Sequence, residues 1–258
     1  MSAPPFYRES GEEVSVAVEA AAAGLPIMLT GPTGCGKTRF VEHVAARLGR
    51  PLVTIVGNDD TTTADLVGRF LVHGGDVSWN DGPLTRAVRA GDACYLDEVV
   101  EVRREALAAL HPLADQRRRL HIDRTGETVE AASGFVLFCS YNPARALGFK
   151  DLRPAFRQRF VTITLDYLPA VDEAAVVVTE TGVAEPVAER LAALAAALRV
   201  GIGDRAGEMP STRMLVSAAL LIGRGVAAEL AVETCVIGPL AQNGHLPAHA
   251  LRELASAL

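Results

Sequence analysis

The stretch PIMLTGPTGCGKTRFVEHVAARLG, residues 26 to 49, decides how the chain is read. It opens on the short apolar run PIMLT (26–30) and closes on a helical pattern in which Phe40, Val41, Val44 and Leu48 share one face and Gly49 ends the run. Between them GPTGCGKT, residues 31–38, fits G-x-x-x-x-G-K-[ST], and a strand before it with a helix after it is the context that pattern requires. Gly31, Gly34 and Gly36, with Pro32, Thr33 and Cys35 between them, let successive backbone N–H groups wrap a phosphate at a helix N-terminus. Lys37 brings a point charge to the outer phosphates, Thr38 is placed to hold Mg²⁺, and Arg39 follows on the helix. Cys35 is either a site of oxidation that would block nucleotide or an inert small side chain. Nothing around it in the sequence depresses its pKa, which favours the second reading.

Outward from this loop, β-rich runs recur at spacings that leave room for helices. PIMLT, LVTIV (52–56), ACYLD (93–97), FVLFCS (135–140) and VTITL (161–165) read as five strands. Continuous apolar runs of the FVLFC kind suit strands covered on both faces, hence a parallel sheet between helices and an α/β architecture. Two hairpins interrupt it, RFLVHGGDVSWNDG (69–82) and RRLHIDRTGETVEA (118–131), and both are expected to project, because neither carries enough apolar residues for a core strand. Trp79, the single tryptophan, lies on the first. It either grips a client or partner or anchors the hairpin to its own domain.

After DYLPAVDE (166–173) the texture turns Ala-, Leu- and Glu-rich. PVAERLAALAAALRV (186–200), STRMLVSAALLIGRG (211–225) and AAELAVETCVIGPL (227–240) read as helices separated by Gly or Pro. The expected division is a nucleotide-sized α/β domain over residues 1–168 and a small helical domain over 169–258.

Composition sets outer bounds. A chain of 258 residues with net charge −6 and no Lys-rich block is poorly suited to sequence-independent nucleic-acid binding, which relies on neutralising phosphates. Cys35, Cys94, Cys139 and Cys235 form no C-x-x-C pair, which points away from a zinc site or disulfide framework and towards a reducing cytoplasm. The start shows no charged-then-apolar leader, and no apolar run is long enough to span a bilayer, so neither export nor membrane insertion is expected.

Four further stretches carry chemistry. CYLDE (94–98) ends a buried strand with two carboxylates, a costly arrangement unless something cationic lies nearby. Asp97 is the candidate for the Mg²⁺ shell and Glu98 for orienting or deprotonating the attacking water, since phosphoryl transfer depends on positioning and charge stabilisation. The bland alternative is a strand end meeting solvent beside an acidic helix cap. In FCSYNP (138–143), Asn142 either reaches the same water or the γ-phosphate, or simply forms a turn before Pro143. MPSTRML (209–215) puts Arg213 in a helix's first turn, where a cation opposes the macrodipole unless an anion approaches. In DLRPAFRQRF (151–160), Arg153 and Arg157 share a face if the stretch is helical, while Arg159 points nearly the other way. An outward arginine there can reach a nucleotide held by a neighbouring subunit, an effect worth about 10³- to 10⁵-fold in rate; the alternative is a solvated basic face beside Asp151 and Asp166.

With this loop, YLDE, SYNP, RQRF and STR in order, the chain resembles the AAA+ ATPases, and among them the MoxR group with its two hairpin insertions. GPTGCGKTRFVEH, DLVGRF, DGPLTRAVR, YLDEVVE, HPLAD and SYNP look like the CbbQ/NirQ/NorQ subfamily; the likeness spans residues 5–167 and, beyond them, mainly the STR element. The resemblance implies a P-loop AAA+ domain with a five-stranded parallel sheet and a helical lid, a homo-hexameric ring, and ATP with Mg²⁺ between subunits. It puts Lys37, Thr38, Asp97, Glu98, Asn142, Arg159 and Arg213 on the Walker A, Walker B, sensor-1, finger and sensor-2 positions, with Arg157 the rival finger. It also implies a von Willebrand factor A domain partner and a client metabolic enzyme, such as Rubisco or nitric oxide reductase. Two other classes stay open: a nucleotide-gated binding module and, against the acidic balance, a DNA-remodelling ATPase.

Overall fold

The computed structural model describes residues 4–143, 152–202 and 209–242, with 249 and 252. Along the chain the strands are β1 (Ile27–Thr30), β2 (Leu52–Val56), β3 (Gly68–His73), β4 (Asp76–Asp81), β5 (Ala93–Asp97), β6 (Arg119–Ile122), β7 (Glu127–Glu130), β8 (Val136–Tyr141) and β9 (Val161–Thr164). The α-helices are α1 (Glu13–Ala22), α2 (Lys37–Arg47), α3 (Thr63–Val67), α4 (Pro83–Ala90), α5 (Arg104–Ala108), α6 (Pro154–Arg157), α7 (Ala170–Thr181), α8 (Glu185–Ile202), α9 (Thr212–Gly223), α10 (Ala228–Val232) and α11 (Gly238–Gln242), with a π-helical turn Glu233–Ile237 before the last. The residues group into two compact units. One takes in Met1–Pro5, Gly11–Thr30 and Lys37–Thr164; the other takes in Phe6–Ser10, Gly31–Gly36 and Leu165–Leu258.

The first unit is built on the expected five-stranded parallel sheet, in the order β2-β5-β8-β1-β9. The apolar runs explain the order. Every residue of β1 and β8 is buried, as befits strands flanked on both sides, whereas edge strand β2 leaves Val56 63% exposed. Helix α2 buries Phe40, Val41 and Val44, which clamps it on the sheet directly after the glycine-rich loop.

The two hairpins differ, and the second corrects the sequence expectation. In β3–β4, Phe70, Leu71, Val72 and Val77 are exposed, and only Trp79 packs partly against the core. In β6–β7, Leu120, Ile122 and Val129 are all buried within the main core. Counting apolar residues misjudged it. In a strand only alternate residues face inward, so three well-spaced side chains are enough to make a short hairpin a core element.

The second unit is helical. Its core joins Val177 of α7, Leu191, Ala195 and Leu198 of α8, and Leu215, Ala218 and Ala219 of α9. The three sequence-read helices are present, although the last is broken by the π-helical turn. Helix α7 precedes them and was not anticipated.

Candidate functional site

In the first unit, Thr38 lies in the first turn of α2 and Asp97 ends β5; the Thr38 hydroxyl donates to Asp97 Oδ2 at 3.4 Å. The other carboxylate oxygen, Oδ1, is held by three donors: Tyr95 OH at 2.8 Å, the Glu98 backbone N–H at 3.1 Å, and the Ser140 hydroxyl. Burial, and then the nearby Asp97 charge, pushes the Tyr95 pKa far up, so its hydroxyl remains a donor. Ser140 is fully buried on β8, one residue beyond the Leu96↔Cys139 pairing. Sequence reasoning missed both supports. The signal for Tyr95 was its two-residue offset from Asp97, which puts them on one face of the strand; Ser140 needed the strand order.

Glu98 follows in a left-handed conformation, φ 53 and ψ 48, which costs a non-glycine residue about 1–3 kcal/mol. Its Oε2 is buried with no hydrogen-bond partner, a second cost of about 1–3 kcal/mol. Backbone strain and a buried carboxylate oxygen without a partner thus coincide at one residue, a combination that clusters at functional sites. Asn142, also buried, follows the end of β8. Lys37, the first residue of α2, is 7% exposed.

The loop residues Gly31–Gly36 fall in the second unit and are covalently continuous with Lys37. Gly36 has φ 101, and a Cβ there would meet nothing within 4 Å. A glycine with open space before it, at the start of a helix, is what a phosphate cradle requires, so the residues present fit a nucleotide's phosphates. Gly34 has φ 75, and a Cβ there would lie 2.5 Å from Ser211 Cβ and 3.8 Å from Arg213 Cβ. The close approach brings the STR element onto the loop, with Ser211 capping α9 and Arg213 exposed in its first turn. Of the remaining loop candidates, Tyr167 OH donates to the Thr33 carbonyl at 2.9 Å. Cys35 is part-buried and in no disulfide, Pro32 is part-buried, and Arg39 forms a half-exposed pair with Glu42 at 3.8 Å.

The arginine stretch is helical over one turn only. Arg153 is the N-cap of α6 and its carbonyl accepts from the Arg157 N–H at 3.2 Å, whereas Arg159 lies past the C-cap Gln158, so a rotation of 100° per residue does not carry on to Arg159. Burial, then the Arg159 charge and the Arg153 charge, lowers the His111 pKa, so both cations lie near that ring. Arg159 donates to the Ala155 carbonyl, and Arg157 is half-buried. Among the described residues neither Arg153 nor Arg159 pairs with Asp97 or Glu98. Asp151 lies outside the described residues.

Comparison with known proteins agrees with this geometry. Residues 26–160 match the AAA domain (dynein-related subfamily), and residues 173–258 match the CbbQ/NirQ/NorQ C-terminal region. The chain belongs to the CbbQ/NirQ/NorQ family. The likeness therefore runs through the helical part as well, not only its STR element. This family member is 50% identical to Protein NorQ of Paracoccus denitrificans, over 98% of this chain and 94% of that protein. It is 48% identical to Denitrification regulatory protein NirQ of Pseudomonas aeruginosa (93% of each) and 44% identical to Protein CbbQ of Hydrogenophilus thermoluteolus (98% of this chain, 95% of that one). Among solved structures it is similar in fold to the Thermotoga maritima RuvB Holliday junction branch migration motor, with TM-score 0.56 and 14% identity over 92% of this chain and 70% of that one. This CbbQ/NirQ/NorQ family chain is an AAA+ ATPase and binds nucleotide. Among its described residues no helix is long and apolar enough to cross a membrane.

Proposed function

We propose that the chain is a chemomechanical ATPase that assembles as a hexameric ring and, with a von Willebrand factor A domain partner, remodels or matures a metabolic enzyme in the cytoplasm. The observation that carries the hydrolytic reading is Glu98, strained and with an unsatisfied buried oxygen one residue beyond the tethered Asp97. In this reading Glu98 Oε2 takes or orients a proton of the attacking water, and Asn142 fixes that water's position. Lys37 and the loop N–H groups hold the phosphates, with Arg39 flanking them. Thr38 and Asp97 would hold Mg²⁺; when bound, such an ion neutralises charge developing on the phosphates. Arg213 senses the γ-phosphate from the start of α9.

Arg159, with Arg157 as its rival, is assigned to the nucleotide of the next subunit, a role supported by Arg159 donating to the Ala155 carbonyl and forming no ion pair with Asp97 or Glu98 among the described residues. The NirQ relative's name, a denitrification regulatory protein, favours a denitrification enzyme as client, with nitric oxide reductase and Rubisco the two candidates that the family resemblance offers. The RuvB likeness, at 14% identity, shows fold alone and brings no DNA substrate with it.

Mixing two inactive variants tests the ring reading. Arg159→Ala and Glu98→Gln should each lack turnover alone, and mixed rings should recover part of it, because some interfaces then pair an intact glutamate with an intact arginine. No recovery at any ratio, with ring assembly verified, contradicts action across an interface.

A further inference from the structure

Within the second unit an ion cluster lies behind the phosphate loop. Glu173 of α7 is fully buried, and Arg199 of α8, its side chain 14% exposed, grips it with two bonds of 2.8 Å. The same guanidinium donates twice to the Pro210 carbonyl, from Nε at 2.9 Å and Nη2 at 2.7 Å, just before the α9 cap. Thr212, the first residue of α9, donates its hydroxyl to Glu173 Oε1 at 2.6 Å. A fully buried carboxylate is tolerated here because three donated bonds and a full positive charge compensate it. Three helices are thereby tied at one point, at the base of the helix that carries Arg213.

The cluster has an outlet towards the loop. Arg199 stacks on the Tyr167 ring, 3.9 Å from its centroid, and Tyr167 OH donates to the Thr33 carbonyl at 2.9 Å. Burial raises the Tyr167 pKa, so the hydroxyl stays protonated and donates. The peptide joining Thr33 to Gly34 is planar and trans, so holding its carbonyl on Tyr167 turns the Gly34 N–H the opposite way. Gly34 sits in the phosphate loop at φ 75, where the backbone has wide freedom unless something restrains it.

We infer that Tyr167 and Arg199 are positioning residues of the ATPase site: through the Tyr167 hydroxyl, the buried Glu173–Arg199–Thr212 cluster sets the Thr33–Gly34 peptide for phosphate binding and couples nucleotide occupancy to the seating of α9. The inference rests on the ATPase reading and deepens it. A restrained loop loses less freedom when phosphate arrives, which strengthens binding without a new contact to the ligand. Coupling of this kind is reciprocal, so bound nucleotide stabilises the cluster by the amount the cluster favours nucleotide. Arg199 cannot be replaced by lysine in this role, since only the planar fork meets Glu173, Pro210 and the Tyr167 ring together.

The test measures ATP affinity in a Glu98→Gln background, where binding is read without turnover, and KM and kcat in the otherwise native chain. Tyr167→Phe keeps the ring and the stack and removes only the hydroxyl. It should weaken ATP binding and raise KM about threefold to tenfold, the effect of one net hydrogen bond, with kcat within about twofold. Arg199→Lys should raise KM similarly, and the double variant should fall short of the product of the two singles, because both act through one peptide. Unchanged ATP affinity in Tyr167→Phe, or a melting temperature that drops while KM stays put, overturns the inference. Should the unaltered chain bind no ATP, the ATPase reading itself fails; normal binding and turnover with an indifferent Tyr167→Phe removes only this coupling.

Discussion

The two inserted hairpins look alike as sequence and behave differently as structure. Hairpin β6–β7 alternates cleanly and buries Leu120, opposite Val129, together with Ile122, whereas β3–β4 gathers Phe70, Val72 and Val77 on one face and leaves them largely in water. Phe70 meets Trp79 edge-on at 5.2 Å, and the Trp79 indole N–H is tied to Asp81 at 2.7 Å. Trp79 thus fits the anchoring reading better than the gripping one. What differs is the use of the apolar side chains. In one hairpin they fasten it to the sheet; in the other they remain on the outside, where a moving part could meet another surface.

The sharpest way to break the contrast is a pair of truncations followed by chemical denaturation. Leu120→Ala should cost about 2–5 kcal/mol, as for a buried leucine, while Val72→Ser should change stability by less than about 0.5 kcal/mol. Similar losses in both would show that the first hairpin is also packed in solution. A smaller effect should come from the bridge between them. Arg89 of α4 donates to Asp81 at 2.9 Å beside the first hairpin's anchor and to Glu127 at 2.7 Å on the second. The bond from Arg89 holds the Glu127 pKa below its ordinary value, so the pair contributes above the usual glutamate range and is lost as pH falls through the lowered folded value. An NMR titration should find Glu127 titrating at lower pH in the native chain than in Arg89→Gln. Equal titration in the two would show that no such bridge operates.

Much of this architecture could be read from sequence, for reasons that are local. Gly34, Gly36 and Lys37 identify themselves because phosphate binding demands backbone N–H groups and a cation at fixed spacing. The mostly apolar β1 and β8 announce central strands. Helix α7 stayed hidden because Val176, Val177 and Val178 are β-branched and blur a helical pattern, and its Glu173 meets a partner 26 residues away. Ser140 and Tyr167 were equally silent, since a serine in a mostly apolar strand and a tyrosine two residues ahead of a proline gain meaning only once β8 lies beside β5 and Tyr167 reaches Thr33. Sequence singles out groups proposed to touch ligand and is silent on groups that hold those groups still.

The proposed water activation turns on Glu98, and replacing one oxygen tests it most directly. Glu98→Gln preserves shape and removes the base, so ATP binding should remain within a few-fold while steady-state phosphate release falls about 10²- to 10⁴-fold. Phosphate release at the native rate, with ATP still bound, would contradict the assignment of the strained, unsatisfied carboxylate to water activation.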